Sequence, residues 1–475
     1  DRVAIAMRNY PEWMSAFIGV AALGAVVVPL NSWGRARELA FALGDADARA
    51  VFCDQQRCDQ LAAHLQATGL PAIVARPSGA GLPGGARDLE DFIAGVDDTA
   101  FPGVAIAPED PALMMYTSGT TGTPKGALST QRAVCQSIVN IDCQATASAM
   151  INPEAIGAMM RMGVAPTQML CVPLFHISGC HAAFLAALRG GRRIVMMYKW
   201  DVQKALELIE RERVTALNAA PSMLLELLES PLLERYDTSS LIAIAGGGAA
   251  TPPRVARLFL EKIKAPYPGA GWGMTETNSN GSACTGRPFL EKPGTAGFLH
   301  PTVELSVRDG EGNELAPGVP GRLWIKTPTL ITGYWNRPDA NASEFRDGWF
   351  DTGDVGYLDE EGYLFLSDRA KDMVIRGGEN IYPAEIESAL LEHPHIEEVA
   401  AFGVPDEALG EQLAVVVHAK PGESLSPEDV RRFAAAHLAH FKVPQYVEVS
   451  AEQLPRNATG KILKKDIRAG FLQKL

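Results

Sequence analysis

The sequence has little cysteine and no excess of positive charge. Its 475 residues include seven cysteines, at positions 53, 58, 135, 143, 171, 180 and 284. Neither a Cys-x-x-Cys motif nor a Cys/His pair has the spacing of metal ligands, so buried or reduced thiols and a cytoplasmic location are expected. The formal net charge of −13 argues against a partner that is bound through nucleic-acid phosphates.

The sequence also lacks an apolar run long enough to cross a membrane. The longest run, Ala16 to Leu30, falls short of the roughly 20 residues that a span requires, and it is typical of a buried helix followed by a buried strand. No signal peptide is visible. Because the chain starts at Asp1 and enters an apolar run directly, we expect its first domain to be incomplete at the N-terminus.

Regular alternation of strand-like and helix-like segments dominates the first part of the chain. A chain of 475 residues is too long for a single core. Strand-like Val3–Met7 and Val26–Leu30 flank helical periodicity at Pro11–Gly24, which predicts βαβ units and parallel sheets. After about Gly294, short strands separated by glycine-containing turns predict a small antiparallel barrel or sheet.

A charged segment, Asp-Arg-Ala-Lys-Asp at 368–372, predicts an interdomain hinge. About a hundred residues with their own α+β pattern follow it. The expected fold class is therefore α/β. A large N-terminal domain (1–368) of parallel α/β sheets with a small β-barrel-like subdomain is hinged to a small α+β C-terminal domain (369–475).

The densest motif is the loop at 116–126, Tyr-Thr-Ser-Gly-Thr-Thr-Gly-Thr-Pro-Lys-Gly. Its glycines let the backbone approach an anion, its hydroxyl and N–H groups can surround phosphate oxygens, and Lys125 adds a positive charge. The spacing is not that of a Walker A loop, which needs four residues between Gly and Gly-Lys-[Ser/Thr]. The motif predicts a polyphosphate cradle of another kind, with a polar connecting loop as the alternative.

A second motif, Gly-Trp-Gly-Met-Thr-Glu-Thr at 271–277, carries complementary chemistry. Trp272 offers a flat face to a nucleobase, Thr275 a hydroxyl to a phosphate, and Glu276 an oxygen ligand to phosphate-bound Mg²⁺. The alternative is a buried tryptophan beside a turn with a solvated glutamate. Three glycines at 246–248 follow an apolar strand and mark backbone that a flat ligand can approach.

Two further motifs give only weak evidence of function when each is taken alone. Asp354 ends Trp-Phe-Asp-Thr-Gly-Asp (349–354), where a carboxylate can accept hydrogen bonds from ribose hydroxyls or form an Asx-turn. The turn at 455–461, Pro-Arg-Asn-Ala-Thr-Gly-Lys, presents Lys461, and its alternative is a mobile surface loop.

Together these motifs resemble, in order and over essentially the whole chain, the adenylate-forming superfamily. This superfamily comprises acyl-CoA synthetases, peptide-synthetase adenylation domains and beetle luciferases. The resemblance implies a two-step reaction that uses ATP, Mg²⁺ and coenzyme A. A carboxylate and Mg·ATP give an acyl-adenylate and pyrophosphate, and a thiol then displaces AMP to give a thioester.

The resemblance also implies roles for individual residues. Lys461 would bridge the substrate carboxylate and the α-phosphate, Thr275 would contact the α-phosphate, and Glu276 would bind Mg²⁺. The other implied residues are Thr117, Ser118, Gly119, Thr120, Thr121, Gly122 and Lys125 at the phosphates; Gly247, Gly248 and Trp272 beside adenine, with Ala249, Gly271 and Gly273 also in the nucleotide site; Asp354 and Arg369 at the ribose; Lys371 as the hinge; and Gly377 and Gly378 in the loop that lines the pantetheine tunnel.

The segment Leu-Phe-His-Ile-Ser-Gly at 174–179 distinguishes branches of the family. Amino-acid-activating members carry Asp at the position of His176, so the resemblance implies the acyl-CoA synthetase branch. His176 is counted with the catalytic candidates, although lining of the pocket or gating of the acid is expected rather than direct catalysis. A core histidine is the alternative, and fatty and aryl acids both stay open.

Three functions are weighed. The leading one is an AMP-forming acid–CoA ligase that acts on a small-molecule carboxylic acid. The others are an acyl-AMP ligase that loads a carrier protein and a non-catalytic nucleotide-binding sensor. No nucleic acid and no transmembrane segment are expected, and a homodimer is a possible assembly.

Overall fold

The computed structural model describes most of the chain. The described residues are 1–79, 81–96, 100–117, 124–247, 251, 253–263, 267–369, 372–376, 379–407, 409–458 and 460–475, without the side chains at positions 155, 158, 253, 368, 369 and 380.

The first sheet is formed mainly by the strands of the N-terminal segment in which strands and helices alternate. Its described strands are β1 (Arg2–Ala6), β2 (Val26–Pro29), β3 (Ala50–Asp54), β4 (Ala72–Ala75), β5 (Ala86–Asp88), β6 (Pro111–Thr117), β7 (Lys125–Thr130) and β17 (Gly333–Tyr334). Their order in the sheet is β17-β7-β6-β2-β1-β3-β4-β5. Strands β1 to β6 pair in parallel, whereas β7 pairs antiparallel with both of its neighbours.

The second sheet is also mainly parallel. Its described strands are β8 (Thr167–Leu170), β9 (Arg193–Met196), β10 (Ala216–Ala219), β11 (Ala243–Gly246), β12 (Tyr267–Trp272), β13 (Ser282–Thr285) and β14 (Phe298–Leu299). They lie in the order β14-β13-β12-β11-β10-β8-β9, with only the pairs that involve β13 antiparallel among those described. The carboxyl ends of β8, β10, β11 and β12 therefore meet at one edge, where parallel sheets commonly bind ligands.

Two smaller sheets follow. The antiparallel one contains β15 (Glu304–Arg308), β16 (Gly321–Lys326), β18 (Phe345–Arg346), β19 (Trp349–Leu358) and β20 (Leu364–Arg369). The C-terminal one contains β21 (Val374–Arg376), β22 (Glu379–Ile381), β23 (Ile396–Asp406), β24 (Gly410–Ala419) and β25 (Tyr446–Ser450). The alternation, the later antiparallel strands and the C-terminal α+β unit confirm the fold class expected from the sequence.

The helices begin and end where their sequences supply caps. Asp54 accepts the N–H of Arg57 at 3.0 Å at the start of one helix, which ends at Gly69 with φ 66°. Thr130 caps another through the N–H of Ala133. The described helices are α1 (Pro11–Ala22), α2 (Ala36–Asp45), α3 (Gln55–Thr68), α4 (Leu89–Ile93), α5 (Gln131–Ile151), α6 (Pro153–Met162), α7 (Ala186–Arg189), α8 (Val202–Glu212), α9 (Pro221–Glu229), α10 (Pro253–Lys262), α11 (Arg287–Glu291), α12 (Pro338–Glu344), α13 (Pro383–Leu390), α14 (Pro427–His437) and α15 (Lys464–Leu472).

An aromatic cluster joins the two large sheets. Trp13 and Phe17 of α1 stack with their ring centres 5.4 Å apart, and the ring of Phe184 meets both edge-on. All three side chains are buried. This packing fixes the two sheets against each other and so fixes the cleft at their edges.

The structure corrects one detail expected from the sequence. The apolar residues 182–187 predict an α-helix, but they lie in a π-helix, Ser178–Leu185, that runs into α7. Cys53 and Cys58 are buried and unpaired, as expected. In the part of the chain that the structure describes, no helix combines the length and apolar character needed to cross a bilayer.

Candidate active site

The glycine- and threonine-rich loop connects two strands of the first sheet. Strands β6 and β7 pair antiparallel, and Thr117 lies directly opposite Lys125 where the pair opens. Both residues line a large cavity at the edge of the sheets. Ser118, Gly119, Thr120, Thr121 and Gly122 lie outside the described residues, so their part in a phosphate cradle stays a prediction.

Lys125 belongs to a network of charges that the sequence did not reveal. Its ammonium lies 2.6 Å from Oε1 of Glu344 and 4.0 Å from the centre of the Tyr334 ring. The Tyr334 hydroxyl lies 2.8 Å from Oε2 of Glu344 and 2.9 Å from Oε1 of Glu276. The network thus links the predicted phosphate lysine to the predicted metal ligand.

Two carboxylates share the Tyr334 hydroxyl in this network. The Tyr334 hydroxyl has one proton to donate and two carboxylates within hydrogen-bond distance. Burial and the nearby charges of Glu276 and Glu344 raise the pKa of Tyr334, so the hydroxyl keeps its proton. The carboxylates of Glu276 and Glu344 thus converge on one hydroxyl at the cavity wall, and they offer oxygen ligands of the kind that Mg²⁺ accepts.

A turn after β12 positions Thr275 and Glu276. Asn278 and Ser279, which follow it, both have positive φ (49° and 69°), a conformation that non-glycine residues adopt at a cost. The Asn278 side chain fixes the turn, because its amide accepts a hydrogen bond from Ser129 Oγ at 3.0 Å and donates one to the Thr329 carbonyl at 2.9 Å. The buried Asn278 amide therefore supports the turn that carries Thr275 and Glu276.

Trp272 and Asp354 are in direct contact. The indole Nε1 donates to Oδ2 of Asp354 at 2.8 Å, and both residues are buried. A Cβ at Gly281 would lie 2.5 Å from the Trp272 ring, so only glycine lets the indole lie against that backbone. In β20, Arg369 is the backbone neighbour of Asp354. The assignment of these residues to adenine and ribose stays a prediction.

The turn that carries Lys461 docks onto the large domain. Gly460 has φ 81°, and its carbonyl accepts hydrogen bonds from Ser222 Oγ at 3.0 Å and from Arg456 Nη1 at 2.7 Å. Asn457 Oδ1 accepts the N–H of Lys461 at 2.9 Å. Because Ser222 lies in the first turn of α9, these contacts hold the Lys461 turn at the carboxyl-end edge of the second sheet.

One cavity of about 1280 Å³ collects most of the predicted site residues that the structure describes. The predicted residues that line it are Thr117, Lys125, His176, Gly247, Gly271, Trp272, Gly273, Thr275, Glu276 and Lys461. Asp354 lies against Trp272. The predicted residues that lie outside the described ones, besides those of the first loop, are Gly248, Ala249, Lys371, Gly377 and Gly378.

His176 lies on the cavity wall just before the π-helix. Burial lowers its pKa to about 4, so the imidazole is neutral near pH 7. A Cβ at Gly179 would lie 2.1 Å from the Pro173 carbonyl oxygen, so only glycine allows this entry into the π-helix. Irregular helical turns of this kind are frequent at functional sites. A neutral, half-buried imidazole suits the expected lining role better than acid–base catalysis.

Sequence reasoning missed the residues that support the site. Tyr334, Glu344 and Ser222 contact it from distant parts of the chain and lie in none of the motifs. Arg456 lies within the 455–461 turn, but its support of Gly460 was not predicted. The Asp-Gly and Gly-Tyr-Trp-Asn segments near 334–348 show only turn character. Their roles follow only from the three-dimensional contacts.

Comparison with known proteins matches nearly the whole chain. Residues 1–335 match the family model described as AMP-binding enzyme, and residues 385–461 match the one described as AMP-binding enzyme C-terminal domain. A long-chain-fatty-acid–CoA ligase of Mycobacterium tuberculosis is 34% identical over 99% of this chain and 88% of its own length. A feruloyl-CoA synthase of Amycolatopsis is 32% identical over 99% of this chain and 89% of its own length.

A solved structure shows the same architecture. The o-succinylbenzoate CoA synthetase from Bacillus subtilis, in complex with its acyl-adenylate intermediate, superposes with a TM-score of 0.80. The two chains are 29% identical, and the alignment covers 98% of this chain and 88% of the other.

Proposed function

This chain belongs to the family of AMP-binding enzymes, and from that premise we propose that it is an AMP-forming acid–CoA ligase. In the first half-reaction, a carboxylate oxygen attacks the α-phosphorus of ATP, pyrophosphate leaves, and an acyl-adenylate forms. In the second, the thiol of coenzyme A loses its proton and attacks the acyl carbonyl carbon, and AMP leaves. The observation that carries the proposal is that Lys461 of the small domain lines the same cavity as Thr275 and Glu276.

Adenylation needs positioning and positive charge more than bond-making groups. The acid and the triphosphate both bring negative charge to the α-phosphorus, and this charge must be offset as they approach. We assign that task to the ammonium of Lys461, with the hydroxyl of Thr275 beside the α-phosphate. The hydrogen bonds from Ser222 and Arg456 to Gly460 hold the turn that delivers Lys461. A donor fixed before the reaction stabilises the developing charge without reorganisation.

Magnesium is expected to enter with the nucleotide, and the residues present fit it. No three His, Cys, Asp or Glu side chains of the described residues are grouped closely enough to hold a metal by themselves. Mg²⁺ on a nucleotide needs only one or two protein carboxylates, and Glu276 supplies one, with the Glu344 carboxylate bound to the same Tyr334 hydroxyl. Bound there, Mg²⁺ would neutralise charge on the phosphate oxygens.

Glu344 and the nucleotide phosphates compete for the ammonium of Lys125. In the structure Glu344 holds the ammonium of Lys125 at 2.6 Å. We assign Lys125 and Thr117 to the β- and γ-phosphates, which requires Lys125 to exchange the Glu344 carboxylate for phosphate oxygens. The Tyr334 ring supports the ammonium in either state, because a cation over an aromatic face keeps its attraction.

The thioester step is assigned to a second arrangement of the small domain. Lys371 is the proposed hinge, and Gly377 and Gly378 are proposed to line the path of the pantetheine arm. Such a rotation would withdraw Lys461 from the cavity, so that each half-reaction uses its own set of small-domain residues.

For the substrate acid, the cellular location and the oligomeric state, we propose only a general class. Relatives are named for long-chain fatty acids and for an aryl acid, and we propose one of these classes for this chain. Its seven unpaired cysteines support a reducing, cytoplasmic location. A homodimer stays a proposal that size measurements in solution would decide.

The test is pyrophosphate release from ATP with a panel of acids, from acetate to long-chain and aryl acids, with and without coenzyme A. We expect acid-dependent release and a coenzyme A thioester. Lys461→Ala should abolish release while it keeps thioester formation from supplied acyl-adenylate. Lys465→Ala, an exposed lysine four residues away, is the control and should behave as the unaltered protein.

Each other outcome of this experiment contradicts the proposal in its own way. Adenylate without a coenzyme A product indicates a ligase that loads a carrier protein. Binding of ATP without pyrophosphate release for any acid indicates a sensor. A normal adenylation rate in Lys461→Ala contradicts the role given to that lysine.

A further inference from the structure

The cavity continues far beyond the residues assigned to the nucleotide. It is lined at the carboxyl-end edge of the second sheet by Gly247 and Gly271, and at the amino-end edge by Ala243 and Tyr267. Since β11 and β12 run in parallel, the cavity extends along the full length of these strands. We call this extension the sheet channel.

One wall of the sheet channel is a face of small side chains on the second sheet. Ala216 pairs with Ala243, and two residues further Asn218 pairs with Ala245. These four residues stay half-buried at the centre of a covered sheet, whereas Leu217 and Ile244, which point to the other face, are fully buried. Because only the face that carries the small side chains keeps some exposure, these side chains must leave empty space in front of them.

The opposite wall is one stripe of α5. Ile141, Gln144, Ala145, Ser148 and Ala149 line the cavity, and their spacing of three and four residues places them on a single helical face. Ile156 and Met159 of α6 continue the wall toward the amino-end edge of the sheet. Helix and sheet thus enclose a straight passage between them.

Several polar side chains along this passage form hydrogen bonds within the protein, whereas the Asn218 amide faces the passage near the carboxyl-end edge. Gln144 donates to the Ala283 carbonyl at 2.8 Å, and Thr285 Oγ1 donates to Ser148 Oγ at 2.8 Å. Thr215 Oγ1 donates to the Thr167 carbonyl at 3.0 Å and accepts the N–H of Thr167. With these groups paired, the passage offers mainly alanine, isoleucine and methionine surface, which favours a hydrocarbon occupant.

The length of the passage can be read from both walls. From Gly271 to Tyr267 is four strand residues, or about 13 Å at about 3.3 Å per residue. From Ile141 to Ala149 is eight helical residues, or about 12 Å at 1.5 Å per residue. A staggered hydrocarbon chain advances about 1.3 Å per carbon, so the passage holds about ten methylene groups.

We propose, resting on the function proposed above, that the sheet channel binds the extended hydrocarbon chain of a linear fatty acid of about twelve carbons. The carboxyl group lies at the carboxyl-end edge beside Thr275 and Lys461, and the terminal methyl group lies near Ala243 and Tyr267. A single-ring aryl acid fills only the part of the channel nearest the reacting groups. Pro166 and Arg192 are exposed at the far end, so longer chains extend to solvent without further gain.

The test measures kcat/KM for pyrophosphate release with hexanoate, octanoate, dodecanoate, hexadecanoate and cinnamate. We expect kcat/KM to rise by up to about fourfold per added methylene, because a buried methylene contributes about 0.8 kcal/mol. The increase should level off near twelve carbons. A profile that is flat with chain length, or that is highest for cinnamate, overturns the proposal.

Two blocking variants locate the chain. Ala243→Phe fills the far end of the channel and should lower kcat/KM for dodecanoate at least tenfold while hexanoate stays within twofold. Ala245→Phe, two residues nearer the reacting groups, should also lower octanoate. Ala67→Phe, at an exposed position of α3, is the control and should leave the dependence of kcat/KM on chain length unchanged. Retained hexanoate turnover shows that a variant is folded, and equal losses for all acids overturn the proposal.

A direct binding measurement separates failure of this inference from failure of the proposed function. Isothermal titration with dodecanoate below its micellar concentration should show binding that Ala243→Phe weakens at least tenfold. If no acid releases pyrophosphate, the ligase function fails, and the titration still decides the channel. Equal affinity of dodecanoate for the unaltered protein and for Ala243→Phe overturns the channel even if ligase activity is found.

Discussion

Arg456 is expected to act on adenylation entirely through Lys461. Its guanidinium donates to the Gly460 carbonyl at 2.7 Å and to Oε1 of Glu398 at 2.6 Å. Glu398 is buried and also accepts the N–H of Leu454 at 2.6 Å, so it anchors the start of the same turn. Arg456→Ala removes the link between this anchor and the residue that precedes Lys461.

The expected decrease in the adenylation rate of Arg456→Ala follows from the hydrogen bonds that the substitution removes. A hydrogen bond to a charged group contributes about 1.5–3 kcal/mol. If the lost contact to Gly460 disorders the turn, this free energy is added to the activation barrier. Because about 1.4 kcal/mol corresponds to a tenfold change in rate, adenylation should slow by about 10- to 100-fold. Arg456→Lys keeps a charge opposite Glu398 but not both directed bonds, so an intermediate loss is expected.

The assay measures the two half-reactions separately. Pyrophosphate release should fall in Arg456→Ala, while thioester formation from supplied acyl-adenylate should stay within about twofold. The double variant Arg456→Ala/Lys461→Ala should be no slower than Lys461→Ala alone, because residues that act as a unit are not additive. Arg468→Ala removes another arginine of the small domain that bonds a backbone carbonyl, that of Gly403 at 2.7 Å, and serves as the control.

Two results would refute this reasoning. Equal slowing of both half-reactions would mean that Arg456 supports the small domain in general rather than the Lys461 turn. Multiplying losses in the double variant would mean that Arg456 and Lys461 act independently.

Three further expectations concern the large domain. Glu276→Gln should raise the Mg²⁺ concentration for half-maximal adenylation at least tenfold, because it removes a carboxylate; exposed Glu360→Gln is the control, and an unchanged Mg²⁺ dependence contradicts the assignment. Tyr334→Phe keeps the aromatic ring under Lys125 but removes the hydroxyl that donates to the two carboxylates. The free energy of unfolding should therefore be about 1–2 kcal/mol lower than that of the control variant Tyr357→Phe. Equal stability of the two variants would contradict the network. His176 has its pKa lowered from 6.5 to about 4, so the stability it contributes is present above pH 6.5 and lost as the pH falls toward 4. His176→Gln should therefore lose less stability than the unaltered protein between pH 7 and pH 5, by at most about 2 kcal/mol in thermal or denaturant unfolding, and identical pH profiles would contradict the burial effect.

The residues proposed to carry the chemistry could be selected from the sequence because they lie in short motifs. Thr275 and Glu276 share one turn, whose residue types suit a phosphate and Mg²⁺, and Lys461 ends another, which was selected only through the resemblance to the adenylate-forming superfamily. The structure then brings these motifs to one cavity, although nearly 190 residues separate Glu276 from Lys461. The edge formed by the carboxyl ends of parallel strands explains why they meet.

The supporting residues could not be predicted because their partners are distant in sequence. Glu344 contacts Lys125 across 219 positions, and Arg456 contacts Glu398 across 58. Nothing in the local sequence of either glutamate differs from that of a solvated surface residue. Such pairs are fixed only by tertiary packing.

Local geometry likewise limited the secondary-structure predictions. The π-helix at Ser178–Leu185 has the apolar composition of an α-helix, and the close approach of Gly179 to the Pro173 carbonyl at its start is a tertiary feature that composition does not reveal. The sheet channel depends on which face of β10 and β11 carries alanine, and this became clear only from the strand register. Composition alone therefore left the acid undecided.

The most direct test of the central claim is acid-dependent exchange of labelled pyrophosphate into ATP without coenzyme A. If Lys461 and Glu276 form an adenylation site, the purified protein should catalyse this exchange with at least one acid of the panel, and Lys461→Ala should abolish it while Lys465→Ala keeps it. Absence of exchange with every acid, or undiminished exchange in Lys461→Ala, would contradict the account.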